Sequence, residues 1–313
     1  MSVRAETRVQ PATLSVPKKV DSKLLQAQTR LAWILLAPSL LVVCLVALVP
    51  LIQTIAQSFT NARLASERPV LFVGLNNYIA LVQDTDFLRS IWVTVQFTVI
   101  TVAIEFLLGL GIALVVNSNF KGRGFMRAAM LVPWAIITVV SAQMWKWMYN
   151  DVYGVFNDLL VDKLHILSSN IAWVSDPITS IPAIAAVDIW KTTPFVALLL
   201  LAGLQVIPGD IYEAARVDGA NPVQQFFRLT LPLLRPAILV TMIFRTLDSL
   251  RVFDVFYVMF GSRPDTQTMS IYAQQNIVSF ASLGYGSTVA IAIFVVIGVF
   301  VVAYVTFLKV EAA

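Results

Sequence analysis

Six long apolar runs, at about 31–57, 90–116, 128–149, 182–207, 236–259 and 286–309, alternate with polar stretches along this 313-residue chain. Each reaches the roughly 18 or more residues that a helix needs to cross a hydrocarbon layer about 30 Å thick. Open strands would leave backbone groups unpaired in lipid, so the pattern predicts an all-α membrane protein with six transmembrane helices. Residues 1–30, with Pro11 and Pro17 among mixed polar positions, read as a disordered tail that turns helical after Asp21. Residues 31–313 read as a single transmembrane domain. The first run is too long for a signal-peptide core and no small-residue cleavage site follows it, so it is expected to stay as an anchor.

The polar stretches differ in character. Residues 58–88 carry a Gly74-Leu75-Asn76-Asn77-Tyr78 turn before an amphipathic segment, and Gly154, Asn157, Asn170, Asp176 and Pro177 cut 150–181 into short pieces. Stretch 209–235, between the fourth and fifth runs, has the strongest local signals. Asp210 with Glu213 fits a capping box that starts a short helix. Gly219 can end that helix in the left-handed conformation. Asn221, Pro222 and Gln224 then read as a cap, a first helical position and a second capping partner. The expectation is two short helices meeting at a glycine, a bent projection exposing Glu213, Arg216, Asp218 and Arg228.

Composition agrees: 58% of residues are hydrophobic and 13% charged, against about 45–50% apolar in soluble domains. Basic residues gather in the tail (Arg4, Arg8, Lys18, Lys19, Lys23, Arg30), at Lys121, Arg123 and Arg127, at Arg216, Arg228 and Arg235, and at Lys309. The alternate connections are mainly acidic, so both termini are expected in the cytoplasm. The net charge of +4 reflects this sorting; it points to an anionic bilayer surface and not to nucleic acid. A single cysteine, Cys44, and a single histidine, His165, leave no disulfide and no zinc constellation. No serine lies in a nucleophile elbow and no Walker A run is present. No catalytic residue, no metal site and no cofactor bound by this chain is expected.

Charges inside the runs carry the remaining chemistry, because each costs about 2.5–3.5 kcal/mol at the bilayer centre unless paired or wetted. Arg245, Asp248, Arg251 and Asp254 alternate in sign at i, i+3 in the fifth run, where they can neutralise one another or line a polar pathway. Asp248 and Arg251 are the favoured lining residues. In the fourth run Asp188, Trp190, Lys191, Thr192 and Thr193 precede Pro194; the alternatives are an Asp188–Lys191 pair and a kinked, broken polar stretch of the kind found at transporter substrate sites. Glu105 reads as an interhelical hydrogen-bonding group. Trp145, Trp147 and Tyr149 read as an interfacial aromatic belt. An ion-gradient-driven carrier would use Glu105, Asp248 and Asp254 as its ion sites.

Glu213-Ala214-Ala215, three residues, Gly219, nine residues and Leu229-Thr230-Leu231-Pro232 resemble the EAA loop of binding-protein-dependent ABC importer permeases. The segments Gly203 to Pro208, Ile189 to Phe195, Lys121 to Gly124, Leu131 to Trp134 and Val252 to Asp254 are similar to the carbohydrate-uptake branch, in its maltose and trehalose class. The resemblance runs from about residue 31 to the end and implies the type I importer permease fold in a prokaryotic plasma membrane. It implies as partners a second homologous permease, a cytoplasmic ATPase dimer that uses ATP and Mg, and an external solute-binding protein delivering an oligosaccharide or related glycoside. Six spans with a short C-terminal tail resemble the first permease of such pairs. The loop would be a coupling helix: Glu213 would pair with a basic group of the ATPase, Ala214 and Ala215 would allow close approach, and Gly219 would set the bend beside Asp218. Asp248, Arg251, Asp254, Trp190 and Lys191 are the expected substrate pathway. Gly154, Asn157 and Trp173 match the family pattern in a segment facing the solute-binding protein.

Overall fold

A computed structural model describes residues 22–307. Among them the secondary structure is helical, the one exception being an isolated bridge between Thr60 and Phe72. The expected tail up to residue 21 lies outside the described residues, as does the end of the sixth run from 308; the chain is helical from Ser22.

The chain divides into two units at Gln53 and Thr54. The first contains most of α1, Leu25–Ser58, with a wider turn at Cys44–Leu48 between Pro38 and Pro50. Proline removes a helical hydrogen bond and crowds the preceding turn, and a turn of i to i+5 spacing takes up the misfit.

The second unit begins with the 58–88 stretch. Gly74 turns at φ +60° into α2, Asn76–Gln83. Asp84 then caps α3, Thr85–Asn117, by accepting from the amides of Asp86 and Phe87. The third apolar run is broken: α4, Arg123–Ala135, meets α5, Thr138–Met148, at 86°. The apolar run at 128–149 thus falls across a bent helix pair and not in one helix. Ile136 and Ile137 take extended backbone between the two pieces. α6, Pro177–Val206, is continuous through Pro182 and Pro194, so the broken stretch, one of the two alternatives for the fourth run, does not form.

The 209–235 stretch folds as α7, Gly209–Val217, and α8, Pro222–Leu233. The expected Asp210–Glu213 capping box does not form: Pro208 is the N-cap and makes no side-chain cap bond. Asn221 and Gln224 do form the reciprocal box at α8. Gly219 sits between the helices at φ +79°. The fifth run bends 64° from α8 and is itself interrupted: α9, Arg235–Leu250, stops at Arg251, and α10, Asp254–Phe260, restarts after Phe253. α11, Met269–Gln274, and α12, Leu283–Phe307, complete the unit.

α3 and α6 form its spine. They lie close at Gly109, where a Cβ would lie 2.6 Å from Val196 Cγ1. Leu110, Ala113 and Val116 of α3 pack there on Val196, Leu200 and Leu204 of α6. At the other end Phe97 and Phe256 meet edge to face at 4.8 Å, beside Ile184 and Val187. Lipid is as apolar as these side chains, so close fit rather than burial from water holds helices together inside a membrane.

Candidate functional site

The span charges converge on Arg245. On α9 it is 2% exposed and faces three carboxylates from three helices. Its Nε and Nη2 donate to Glu105 of α3 at 2.6 and 2.9 Å, Nη2 also reaches Asp188 of α6 at 3.0 Å, and Nη1 donates to Asp248 at 2.7 Å. Thr192 donates to Glu105 at 2.5 Å. A guanidinium suits this position because its planar fork can serve several carboxylate oxygens at once. Glu105 is fully buried, whereas the Asp248 side chain is 69% exposed, so the cluster runs from the helix interface into an open space.

That space is a cavity of about 240 Å³ between α4, α5, α6 and the α9–α10 break. Asp248, Arg251, Asp254 and Lys191 line it, as do Asp188 and Arg245. The Arg251–Phe253 interruption forms part of its wall, consistent with the rule that irregular backbone at membrane depth must line a cavity or be covered by protein. Ser249 donates to Thr98 at 3.0 Å behind it.

Several sequence expectations need correction. Asp188 and Lys191 do not pair: Asp188 turns to Arg245, and Lys191 Nζ donates to the carbonyls of Ile136 and Trp134 at 2.7 and 3.3 Å. Those carbonyls are freed by the bend between α4 and α5, so the lysine satisfies the bend. The alternating series on the fifth run pairs only at Arg245–Asp248; no ion pair joins Arg251 or Asp254 among the described residues. Trp190, placed in the pathway from sequence, is absent from the lining and packs edge-on against Trp145 at 5.6 Å. Trp134 and Thr138 line the cavity and were not among the expected pathway residues; Trp134 lies in the Leu131 to Trp134 segment similar to the carbohydrate-uptake branch, whereas nothing in the local sequence marks Thr138. Glu105 does bond between helices, and both it and Asp248, which an ion-gradient carrier would need, are engaged by Arg245.

The 209–221 projection is a second candidate. Glu213 is 74% exposed and lies 3.9 Å from Arg216, itself exposed. Ala214 and Asp218 are likewise at the surface, and Ala215 is half-buried. A Cβ at Gly219 would meet nothing within 4 Å, so only the backbone angle calls for glycine there.

The 150–181 stretch is organised by Asn157, which is buried. Its Oδ1 accepts from Ile171 N and Trp173 Nε1, and its Nδ2 donates to the carbonyls of Asp151 and Ile171. Gly154 is required by space: a Cβ would lie 2.2 Å from Asn150 O. Asp84 ties the same end of the unit together, accepting from Tyr272 and Tyr285 at 2.5 and 2.8 Å. Burial raises its pKa, but those hydrogen bonds and the two amide bonds outweigh it and hold the carboxyl below its ordinary value. Among the described residues no group of three or more His, Cys, Asp or Glu is placed to hold a metal ion.

Comparison with known proteins places this architecture. Residues 105–309 match the family described as binding-protein-dependent transport system inner membrane component. The chain is 42% identical to the trehalose/maltose transport system permease protein MalF of Thermococcus litoralis, over 91% of this chain and 96% of that one. It is 41% identical to the sulfoquinovosyl glycerol transport system permease protein SmoG of Agrobacterium fabrum, covering 88% and 92%. It is 35% identical to the trehalose transport system permease protein SugA of Mycobacterium tuberculosis, covering 86% and 85%. A bacterial ABC transporter that imports the acidic polysaccharide alginate has the same fold, at TM-score 0.78 and 23% identity over 93% of this chain and all of that one. Broken spans, a charged cavity between them and a projecting helical elbow are thus the parts of a transport component and not of an enzyme, and the chain belongs to the binding-protein-dependent transport system inner membrane components, the permease subunits of ABC importers.

Proposed function

We propose that this permease subunit carries an oligosaccharide or related glycoside, a disaccharide such as trehalose or maltose, across a prokaryotic plasma membrane, with Asp248, Arg251, Asp254 and Lys191 on its pathway. The observation that carries the reading is the cavity itself: charged side chains and interrupted backbone gathered inside an otherwise apolar chain. Carboxylate and guanidinium groups can accept from and donate to sugar hydroxyls, and side chains of this kind are costly in a membrane without a function. Two of the three relatives above are named for trehalose.

On this reading the chain pairs with a second permease, receives sugar from an external solute-binding protein and docks a cytoplasmic ATPase dimer through Glu213, Ala214, Ala215, Asp218 and Gly219. ATP and Mg belong to the ATPase. Both termini are cytoplasmic, and residues 31–313 act as one permease domain. Closure of the ATPase dimer pushes the rigid elbow, and the spans tilt between inward and outward access. Exposure of Glu213 and the glycine-set bend support the docking role.

Uptake of radiolabelled trehalose and maltose by cells carrying the whole transporter tests the proposal. ATP depletion should stop uptake and an ionophore should not. Replacing Asp248 and Arg251 together by leucine should abolish it in a protein that still inserts. Unchanged uptake in that double variant would remove the pathway assignment.

A further inference from the structure

A second concavity lies on the face formed by α3 and α4. It is an open, almost wholly apolar groove of about 520 Å³, lined by Leu107, Gly111, Val115 and Val116 of α3 and by Met126 and Met130 of α4. From Leu107 to Val116 is nine residues, about 14 Å along a helix, which is half of a hydrocarbon layer of about 30 Å and so the depth of one leaflet. The groove therefore matches a single acyl chain in length.

Its end is cationic. Lys121 and Arg123 are exposed, and Arg127 reaches Val116 O with Nη2 at 3.2 Å, which puts a guanidinium at the groove's last residue. Arg127 Nε is buried with no hydrogen-bond partner. None of the three cations is in an ion pair among the described residues, and no acidic residue occurs in the sequence between Glu105 and Asp151.

We propose that this groove binds one anionic phospholipid, its acyl chain along α3 and its phosphate held by Lys121, Arg123 and Arg127. Gly111 keeps the groove open: a Cβ there meets nothing within 4 Å, so a larger side chain fills the groove without disturbing the fold.

The assembled transporter, extracted from its membrane and exchanged into mixed phosphatidylglycerol and phosphatidylcholine, is examined by native mass spectrometry. One retained phosphatidylglycerol is expected. Lys121→Gln, Arg123→Gln and Arg127→Gln should each lower its retention about fivefold, and Gly111→Leu should remove it while leaving the cations in place. Equal retention of both lipids, or retention unaffected by Gly111→Leu, overturns the proposal. A disulfide from Val115→Cys to a cysteine of a neighbouring subunit, formed in high yield, overturns it too, because the groove is then a protein interface.

Discussion

Arg245 holds Glu105 through two parallel hydrogen bonds, Nε to Oε2 at 2.6 Å and Nη2 to Oε1 at 2.9 Å, in a place where the two side chains are 2% and 0% exposed. The pair joins α9 to α3, and the same guanidinium carries the link on to α6 through Asp188. Removing the arginine leaves carboxylates buried without a counter-charge, a change that costs about 3–5 kcal/mol. Arg245→Met should therefore lower the thermal unfolding midpoint in detergent far more than Glu105→Gln, which still accepts a hydrogen bond and leaves Arg245 its two aspartates. Equal midpoints for wild type and Arg245→Met would show that the cluster does not hold the bundle.

Gly219 is glycine for its backbone angle and not for space. A β-branched residue at φ +79° costs about 1–2 kcal/mol, enough to re-angle a two-helix elbow. Gly219→Val should uncouple ATP hydrolysis from uptake in the assembled transporter, whereas Gly219→Asn, which tolerates the left-handed region, should keep most coupling. If both variants couple normally, the bend does not transmit.

Gly109 and Gly111 are two residues apart on α3 and predict opposite outcomes. A Cβ at Gly109 would sit 2.6 Å from Val196 Cγ1 and 3.1 Å from the backbone nitrogen of Ala197. Gly109→Ala should destabilise by about 1–3 kcal/mol through overpacking. Gly111→Ala has open space and a helix that gains from losing glycine, by about 0.5–1 kcal/mol. Denaturant unfolding in mixed micelles separates them, and a destabilised Gly111→Ala would contradict the packing described.

Asp84 gives a pH dependence. Its folded-state pKa is lowered, because the bonds from Tyr272, Tyr285 and two amides outweigh burial. A depressed carboxyl contributes stability that is fully present above the unfolded value of about 3.9 and is lost as pH falls through the folded value. Asp84→Asn keeps the helix cap but removes the charge. The stability difference between wild type and Asp84→Asn should be constant from pH 8 to 5 and shrink below about pH 4. Tyr272→Phe should cost about 1.5–3 kcal/mol near neutral pH, as for a hydrogen bond to a charged group. A difference that grows on acidification would reverse the sign and refute the argument.

The apolar runs determined by themselves that the chain is a bundle of membrane helices, since length and hydropathy decide what can cross a bilayer. Local backbone chemistry was equally legible: a glycine able to take a positive φ at 219 and an asparagine, proline and glutamine in capping register at 221–224 act within one turn, so their neighbours in sequence are their neighbours in space. The Asp210 cap failed because Pro208 set the helix start two residues earlier.

What only the tertiary structure decided is which charges meet. Glu105 lies 140 residues from Arg245 and Asp188 lies 57 from it, and i, i+3 spacing gave no account of either pair. The α4–α5 bend took Lys191 away from Asp188 by offering it two free carbonyls. The break at Arg251–Phe253 turned a ladder of alternating charges into one pair and a cavity wall. Sequence tells how strongly a buried charge must find a partner; packing of distant helices tells which partner is within reach, because Coulomb attraction and hydrogen bonding act over a few ångströms of space regardless of separation along the chain.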